Sequence, residues 1–216
     1  MKYILILFLL TTPVYTNNIK NTDVTKLSVK EKKKRFISLL LPPITKIYNE
    51  LQTQYEEILN DIKYSRNLYK KEMLKEEYKV QSDEELLMAL KPHPKSIVLT
   101  QAAVESAWAT SRFFNEANNV FGMWSTNKNE PRIAALQKRA GKTIWLKKFD
   151  SLEDSIRAYY KLIAKGQAYR EFRELKMISN DVYLLEEKLN KYCELGYEYC
   201  IRLQSVTRYN NFTKYD

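Results

Sequence analysis

Glycine and proline, the residues that most often interrupt regular structure, are scarce in this chain. Its 216 residues include four glycines and six prolines, well below the roughly 7% and 5% of average usage. A β-sandwich or barrel needs frequent tight turns, so this scarcity argues against both folds. The glycines, at positions 122, 141, 166 and 196, are also too far apart for either glycine-rich loop that cradles nucleotide phosphates. The sequence therefore predicts a mainly all-α fold.

The chemistry open to the chain is limited by its metal-binding and nucleophilic residues. With one histidine, His93, and two cysteines, neither a multi-histidine zinc site nor a four-thiolate centre can form. We therefore expect no metal and no organic cofactor, and chemistry based on carboxylates, hydroxyls, amides or aromatic faces. His93 lies between Pro92 and Pro94, in a turn setting where we expect it to be exposed to solvent.

The two cysteines are seven residues apart in a helix-like stretch, Cys193 and Cys200. Seven residues of helix rise about 10.5 Å, which exceeds the Cα separation that a disulfide spans. Unless Gly196 bends the chain, we expect both thiols to be free.

The formal net charge is +10, from 36 Lys and Arg against 26 Asp and Glu. A charge of this sign suits an anionic partner, such as nucleic acid, a membrane surface or an acidic polymer. The sign of the charge does not choose among them.

The N-terminal residues have the pattern of a secretory signal peptide. Lys2 is followed by an apolar run over residues 3–10 and by Pro13, and the run is too short to span a membrane. We predict a signal peptide at residues 1–16 and a polar linker at 17–35. The protein would then be exported to the periplasm or cell envelope, or secreted, with no transmembrane span after signal removal.

Helical periodicity covers most of the remaining chain. Apolar residues recur every three or four positions after Pro42 and Pro43, which indicates a long amphipathic helix within an N-terminal helical region, residues 36–95. Residues 96–114 are apolar on nearly every side, which is typical of a buried helix. The rhythm is lost over residues 120–148, where we expect a small β-rich or irregular lobe.

One residue does not fit the apolar helix, and that residue is Glu105. On a helical wheel its face is mostly apolar and is shared by Val98, Gln101, Ala102, Trp108, Ala109 and Arg112. Desolvation on such a face raises the pKa of a carboxyl group, as general-acid catalysis of glycoside cleavage requires. The alternative is that Glu105 pairs with Arg112, or with a cation elsewhere, as a buried structural ion pair, and spacing alone does not decide between the two roles.

Several ordered sequence blocks resemble one enzyme family. Residues 101–113 read QAAVESAWATSRF, residues 118–124 read NNVFGMW and residues 129–131 read NEP; residues 149–159, 168–173 and 210–216 continue the match. This pattern is similar to the Bax-like glucosaminidases of glycoside hydrolase family 73. The resemblance covers about residues 39–216 and implies a lysozyme-like domain at 96–216, preceded by the N-terminal helical extension.

The resemblance also implies roles for individual residues. Glu105 stands at the family's catalytic glutamate, the general acid, and Glu130 is the candidate second catalytic group; the alternative for Glu130 is a solvated loop glutamate. The residues expected to bind substrate are Gln101, Trp108, Trp124 and Tyr159. Asn118 and Asn119 are expected to fix the turn after the helix. The sequence departs from the family at positions 107 and 109, where alanine replaces the usual glycine.

The implied activity is cleavage of the β-1,4 bond after N-acetylglucosamine in peptidoglycan. The partners are then glycan strands rather than nucleic acid, and the enzyme is expected to act as a monomer. The alternatives are a lytic transglycosylase, which closes an anhydro ring, and a cell-wall-binding protein on the same fold in which Glu105 is only structural. A third alternative is a basic helical protein that binds nucleic acid, and the signal-like N-terminus counts against it.

Overall fold

A computed structural model describes residues 23–216; the predicted signal peptide and the start of the predicted linker lie outside this range. The described helices and strands are α1 Val29–Lys63, α2 Leu68–Tyr78, α3 Asp83–Leu90, α4 Lys95–Glu105, α5 Arg112–Ala117, β1 Arg132–Arg139, β2 Lys142–Lys147, α6 Leu152–Lys165, α7 Arg170–Ile178, α8 Val182–Glu187 and α9 Tyr197–Asn210. Short 3-10 helices cover Val24–Lys26, Gln167–Tyr169 and Phe212–Tyr215. The prediction of a mainly helical fold is confirmed.

Helix α1 begins earlier than the sequence pattern predicts. Ser28 and Glu31 form a capping box, in which each side chain hydrogen-bonds the backbone N–H of the other residue. The end of the predicted linker is therefore helical, and Arg35 within it is buried and donates to the Ala109 carbonyl at 3.0 Å. The helix also continues through Pro42 and Pro43, since buried apolar residues on both sides offset the backbone hydrogen bonds that proline cannot make.

Helix α4 is the central helix of the core, as its composition predicts. Ile97, Val98, Leu99 and Ala102 have no exposed surface, and the helix contacts α1, α9 and the C-terminal 3-10 helix at Phe212–Tyr215. Burial on all sides explains why the segment lacks an amphipathic pattern.

Helix α4 ends at Glu105, nine residues before the predicted end at Phe114. Ala107, Trp108 and Ala109 have φ angles of 50°, 61° and 61°, a left-handed conformation that no α-helix contains. The wheel positions assigned to Trp108, Ala109 and Arg112 are therefore wrong. Alanine is the best helix former and tryptophan is an average one, so composition gave no sign of this turn.

The predicted β-rich lobe is confirmed as an antiparallel hairpin. Arg139 pairs with Lys142 across a two-residue turn formed by Ala140 and Gly141, which both have positive φ. That combination is the type I′ turn that matches the natural twist of paired strands. A further bridge joins Trp124 to Leu146 of β2, so the preceding loop packs on the hairpin.

Both cysteines are free, as the spacing of Cys193 and Cys200 predicts. Across residues 23–216, no helix combines the length and the apolar character needed to cross a membrane.

The left-handed turn predicts an unusual response to glycine. Ala107 is exposed with φ 50°, so Ala107→Gly relieves a steric penalty without removing a packed side chain. We expect Ala107→Gly to raise the free energy of unfolding by about 1 kcal/mol, measured by chemical denaturation. The matched control is Ala158→Gly within helix α6, which should lower the same quantity by up to about 1 kcal/mol. Destabilisation by both substitutions would contradict the left-handed assignment.

Candidate active site

Glu105 is the last residue of helix α4 and is half-buried. Burial raises the pKa of its carboxyl group above the ordinary value, while the hydrogen bond from Tyr199 and the charge of Arg202 act in the opposite direction. Arg112 bonds instead to Glu116 and to the Ala134 carbonyl. The form of the alternative that pairs Glu105 with Arg112 is therefore wrong.

The loop after helix α5 passes beside the Glu105 carboxyl. Gly122 has φ +64°, and a Cβ placed on it would lie 3.9 Å from Glu105 Oε2. Asn119 fixes this loop, because its side chain bonds the Met123 N–H and the carbonyls of Met123 and Lys147. The expectation that Asn119 fixes a turn is confirmed.

Asn118 is the residue at which helix α5 ends. It adopts a left-handed conformation at the C-cap, and its amide donates to the carbonyls of Phe149 and Asp150. The loop between α5 and β1 is thus joined to the segment that leads into α6.

Tyr199 of helix α9 makes a hydrogen bond to the Glu105 carboxyl group. Its hydroxyl donates to Glu105 Oε1 at 2.7 Å and accepts from Gln101 Nε2 at 3.0 Å. Tyr199 could not be found from the sequence, because it lies far along the chain from Glu105 and nothing local distinguishes it among sixteen tyrosines.

Two predicted substrate-binding residues are corrected by their burial. Gln101 and Tyr159 have no exposed surface, so neither can touch a sugar. The Tyr159 hydroxyl donates to Gln101 Oε1, and the Tyr159 ring stacks on Phe121 at 4.1 Å. Both residues support the site from within the core.

The expected exposure of His93 is also wrong. Its side chain is buried, and its Nε2 lies 3.0 Å from the Tyr159 hydroxyl. Burial, together with the charge of Lys176, holds the pKa of His93 well below its usual value, so the imidazole is neutral.

Glu130 lies in the loop just before strand β1 and pairs with Lys147 of β2 at 3.0 Å. The hydroxyl of Ser125 and the ammonium of Lys147 hold the pKa of Glu130 below its ordinary value, so the group stays ionised. Within residues 23–216, no hydrogen bond or ion pair joins Glu130 to Glu105.

The two candidate tryptophans differ in exposure. Trp108, in the left-handed turn, packs its ring against Phe36 and Phe212 with Lys33 4.9 Å from the ring centre. Trp124 is 53% exposed, with the Arg139 guanidinium 5.7 Å from its ring centre. Of the two, Trp124 has the larger surface open to a ligand.

Glu186 is a second buried carboxyl group, and it belongs to the core. It has no exposed surface, and its Oε1 accepts from Thr207. Burial raises its pKa to about 7, against the effects of Thr207 and Arg208. Because no ligand can reach it, we assign it no role in the site. No group of three or more His, Cys, Asp or Glu side chains in the described part of the chain is arranged to hold a metal ion.

Comparison with known proteins agrees with the resemblance seen in the sequence. The model of the family described as mannosyl-glycoprotein endo-beta-N-acetylglucosaminidase matches residues 84–211. The Protein bax of Escherichia coli (strain K12) is 33% identical over 81 residues, which cover 38% of this chain and 27% of that protein. The chain thus matches about a quarter of the length of this curated relative.

Two solved structures are similar to the described fold. An N-acetylmuramoyl-L-alanine amidase from Staphylococcus aureus has a TM-score of 0.56 at 16% identity, covering 88% of this chain and 44% of that one. The catalytic domain of the autolysin Auto from Listeria monocytogenes has a TM-score of 0.48 at 16% identity, covering 88% and 98%. At this identity the first likeness shows the fold alone.

The buried Glu186 predicts a pH dependence of stability. Its pKa rises from 4.5 to about 7 on folding, so the folded protein binds more protons between these values. Its contribution to stability is complete below about pH 4.5 and is lost as the pH rises through about 7. Glu186→Gln removes the charge and keeps an acceptor for Thr207.

We expect Glu186→Gln to be more stable than the wild type at pH 8, by up to about 3 kcal/mol, and to lose this advantage at pH 4.5. Chemical denaturation at both pH values measures the difference. Glu187→Gln, at the adjacent position, controls for the loss of one negative charge. A difference that is the same at both pH values would contradict the assignment.

Proposed function

Because the chain belongs to the endo-beta-N-acetylglucosaminidase family and is a glycoside hydrolase, we propose that it cleaves the β-1,4 bond after N-acetylglucosamine in peptidoglycan, with Glu105 as the general acid. The observation that carries this proposal is the Glu105 carboxyl group itself. It is half-buried at the end of the central helix, its pKa is raised by burial, and it lies beside Gly122.

The proposed reaction begins with proton transfer from Glu105. A carboxyl group with a raised pKa stays protonated at higher pH and can give its proton to the leaving glycosidic oxygen as the C–O bond breaks. The carboxylate left behind accepts the Tyr199 hydrogen bond and is close enough to feel the charge of Arg202. These two groups stabilise the charge that appears on Glu105 during the step.

Glu130 is the proposed second group, which would activate water or stabilise the oxocarbenium-like transition state. The observation that supports this role is the charge of Glu130, because Ser125 and Lys147 keep the carboxyl group ionised. An ionised carboxylate can accept a proton from water, whereas Glu105 must begin protonated. The substrate's own N-acetyl group is the other candidate for this role.

The polymer is proposed to lie across the hairpin lobe. The half-exposed ring of Trp124 offers an apolar face on which a sugar ring can pack. The net charge of +10 would attract a wall polymer that carries carboxylates. With the predicted signal peptide, we propose that the enzyme is exported to the periplasm or cell envelope, or secreted, and acts as a monomer.

Product analysis tests the proposal and its acid together. Purified peptidoglycan is digested with residues 17–216 and with Glu105→Gln, and the fragments are identified by mass spectrometry. We expect reducing N-acetylglucosamine ends, formed about a thousandfold more slowly by the variant. Anhydro ends would identify a lytic transglycosylase. Wall binding without cleavage by the wild type would identify a binding protein.

The charge of Arg202 leads to a prediction about the pH dependence of this activity. Its positive charge lowers the pKa of Glu105, so Arg202→Gln should raise that pKa and keep the acid protonated to higher pH. We expect the alkaline limb of the kcat/KM profile to move upward. Arg208→Gln on the same helix, where Arg208 lies over the Tyr183 ring, is the matched control. An alkaline limb that moves downward in Arg202→Gln would contradict the proposed role of Glu105.

A further inference from the structure

Five buried or half-buried polar side chains form a continuous chain of hydrogen bonds that ends at Glu105. His93 Nε2 lies 3.0 Å from the Tyr159 hydroxyl, and that hydroxyl donates to Gln101 Oε1. Gln101 Nε2 donates to the Tyr199 hydroxyl at 3.0 Å, and Tyr199 donates to Glu105 Oε1 at 2.7 Å. The chain crosses the core from the loop before α4, through α6 and α4, to α9.

When Glu105 is ionised, the donors and acceptors of this hydrogen-bond chain can be arranged in only one order. A carboxylate only accepts, so Tyr199 must donate to it and must itself accept from the Gln101 amide. The Gln101 oxygen then faces Tyr159, which must donate to it and must accept from His93. A neutral His93 with its proton on Nε2 completes the sequence.

Burial prevents the members of this chain from finding other partners. Gln101 and Tyr159 have no exposed surface and His93 has 1%, so water cannot replace a lost hydrogen bond. The rings of Tyr160 and Phe172 pack against the His93 ring at 4.6 and 5.3 Å. Each amide and hydroxyl therefore keeps the orientation that its neighbour sets.

The last hydrogen bond of this chain, from Tyr199 to Glu105, decides which oxygen of Glu105 is available for proton transfer. Oε1 is occupied as an acceptor by Tyr199, which provides the hydrogen bond to this carboxyl group among residues 23–216, whereas Oε2 lies on the Gly122 side. We infer that His93, Tyr159 and Gln101 are positioning residues that act through Tyr199 to keep Oε1 as an acceptor and to reserve Oε2 for the acidic proton. This inference rests on the proposed function of Glu105.

Tyr159→Phe breaks the chain two hydrogen bonds away from Glu105. The Phe121 stacking partner remains, but the Gln101 oxygen loses its donor, and its amide can turn so that the oxygen accepts from Tyr199 instead. Tyr199 then stops donating to Glu105. We expect kcat to fall about tenfold, as for the loss of one hydrogen bond to a charged group, with KM unchanged and the alkaline limb of the pH profile moved upward.

Tyr160→Phe is the matched control. Tyr160 is the next residue on α6, is also buried, and donates to the His93 backbone carbonyl at 3.3 Å, outside the chain. We expect it to lose stability as Tyr159→Phe does, and to keep the wild-type kcat and pH profile. Equal effects of the two substitutions on kcat would assign Tyr159 a packing role only.

Two His93 variants test whether His93 is the first donor of this hydrogen-bond chain. His93→Met removes the donor, whereas His93→Gln has nearly the same shape and keeps an N–H group close to the position of Nε2. We expect His93→Met to move the profile in the same direction as Tyr159→Phe but by less, because Tyr159 can still donate to Gln101, and His93→Gln to restore the wild-type profile. Failure of His93→Gln to restore it, alongside a loss in His93→Met, would assign His93 to packing.

A titration without substrate separates this inference from the proposed function. Carbon NMR of the protein with labelled glutamate carboxyl groups follows Glu105, which Glu105→Gln identifies by its missing signal. We expect its pKa to rise by about one pH unit in Tyr159→Phe and to stay at the wild-type value in Tyr160→Phe.

The combined outcomes are distinguishable. A pKa that moves in a protein with no activity on peptidoglycan would support the hydrogen-bond chain and overturn the proposed function. An active enzyme in which Tyr159→Phe moves neither the pKa of Glu105 nor kcat would overturn the chain and leave the proposed function intact.

Discussion

The end of helix α4 depends on the side chain of Ser106. Its hydroxyl donates to the Ala102 carbonyl at 2.5 Å and accepts from the Ala109 N–H at 2.8 Å, so it satisfies backbone groups that the ended helix leaves free. Arg35 of α1 binds the Ala109 carbonyl of the same turn. Because the turn is held on both sides, Glu105 stays at the edge of the core instead of being enclosed within a longer helix.

The site combines a desolvated acid with a polar network that is itself buried. Desolvation alone would raise the pKa of Glu105 and would also leave its carboxylate without support after proton transfer. Tyr199 and Arg202 supply that support. Burying the polar side chains that orient Tyr199 carries only a small free-energy penalty, because nearly every donor among them has an acceptor. Glu186 shows the opposite case, since its Oε2 is buried without a partner among the described residues, and its pKa rises to about 7.

The sequence predicted the fold more fully than it predicted the site. The scarcity of glycine, the apolar segment before Glu105 and the loss of helical rhythm after residue 120 led to the all-α fold, the buried helix and the hairpin lobe, all of which are confirmed. Glu105 was singled out correctly as the unusual residue of its helix. The predictions for Gln101, Tyr159 and His93 were wrong about exposure, because neither flanking prolines nor a resemblance to a family reveals which side of a residue the rest of the chain covers.

By itself, the sequence determined that most of the chain is helical, which helix is central and that Glu105 stands on an apolar face, because the pattern of apolar residues is local and is encoded within each segment. Only the tertiary structure decided where α4 ends and what Glu105 contacts. The left-handed turn is stabilised by Ser106 and Arg35 against the helical preference of Ala107 and Ala109. Tyr199 reaches Glu105 across 94 positions of the chain, and a contact between distant segments is fixed by packing, which no local pattern records.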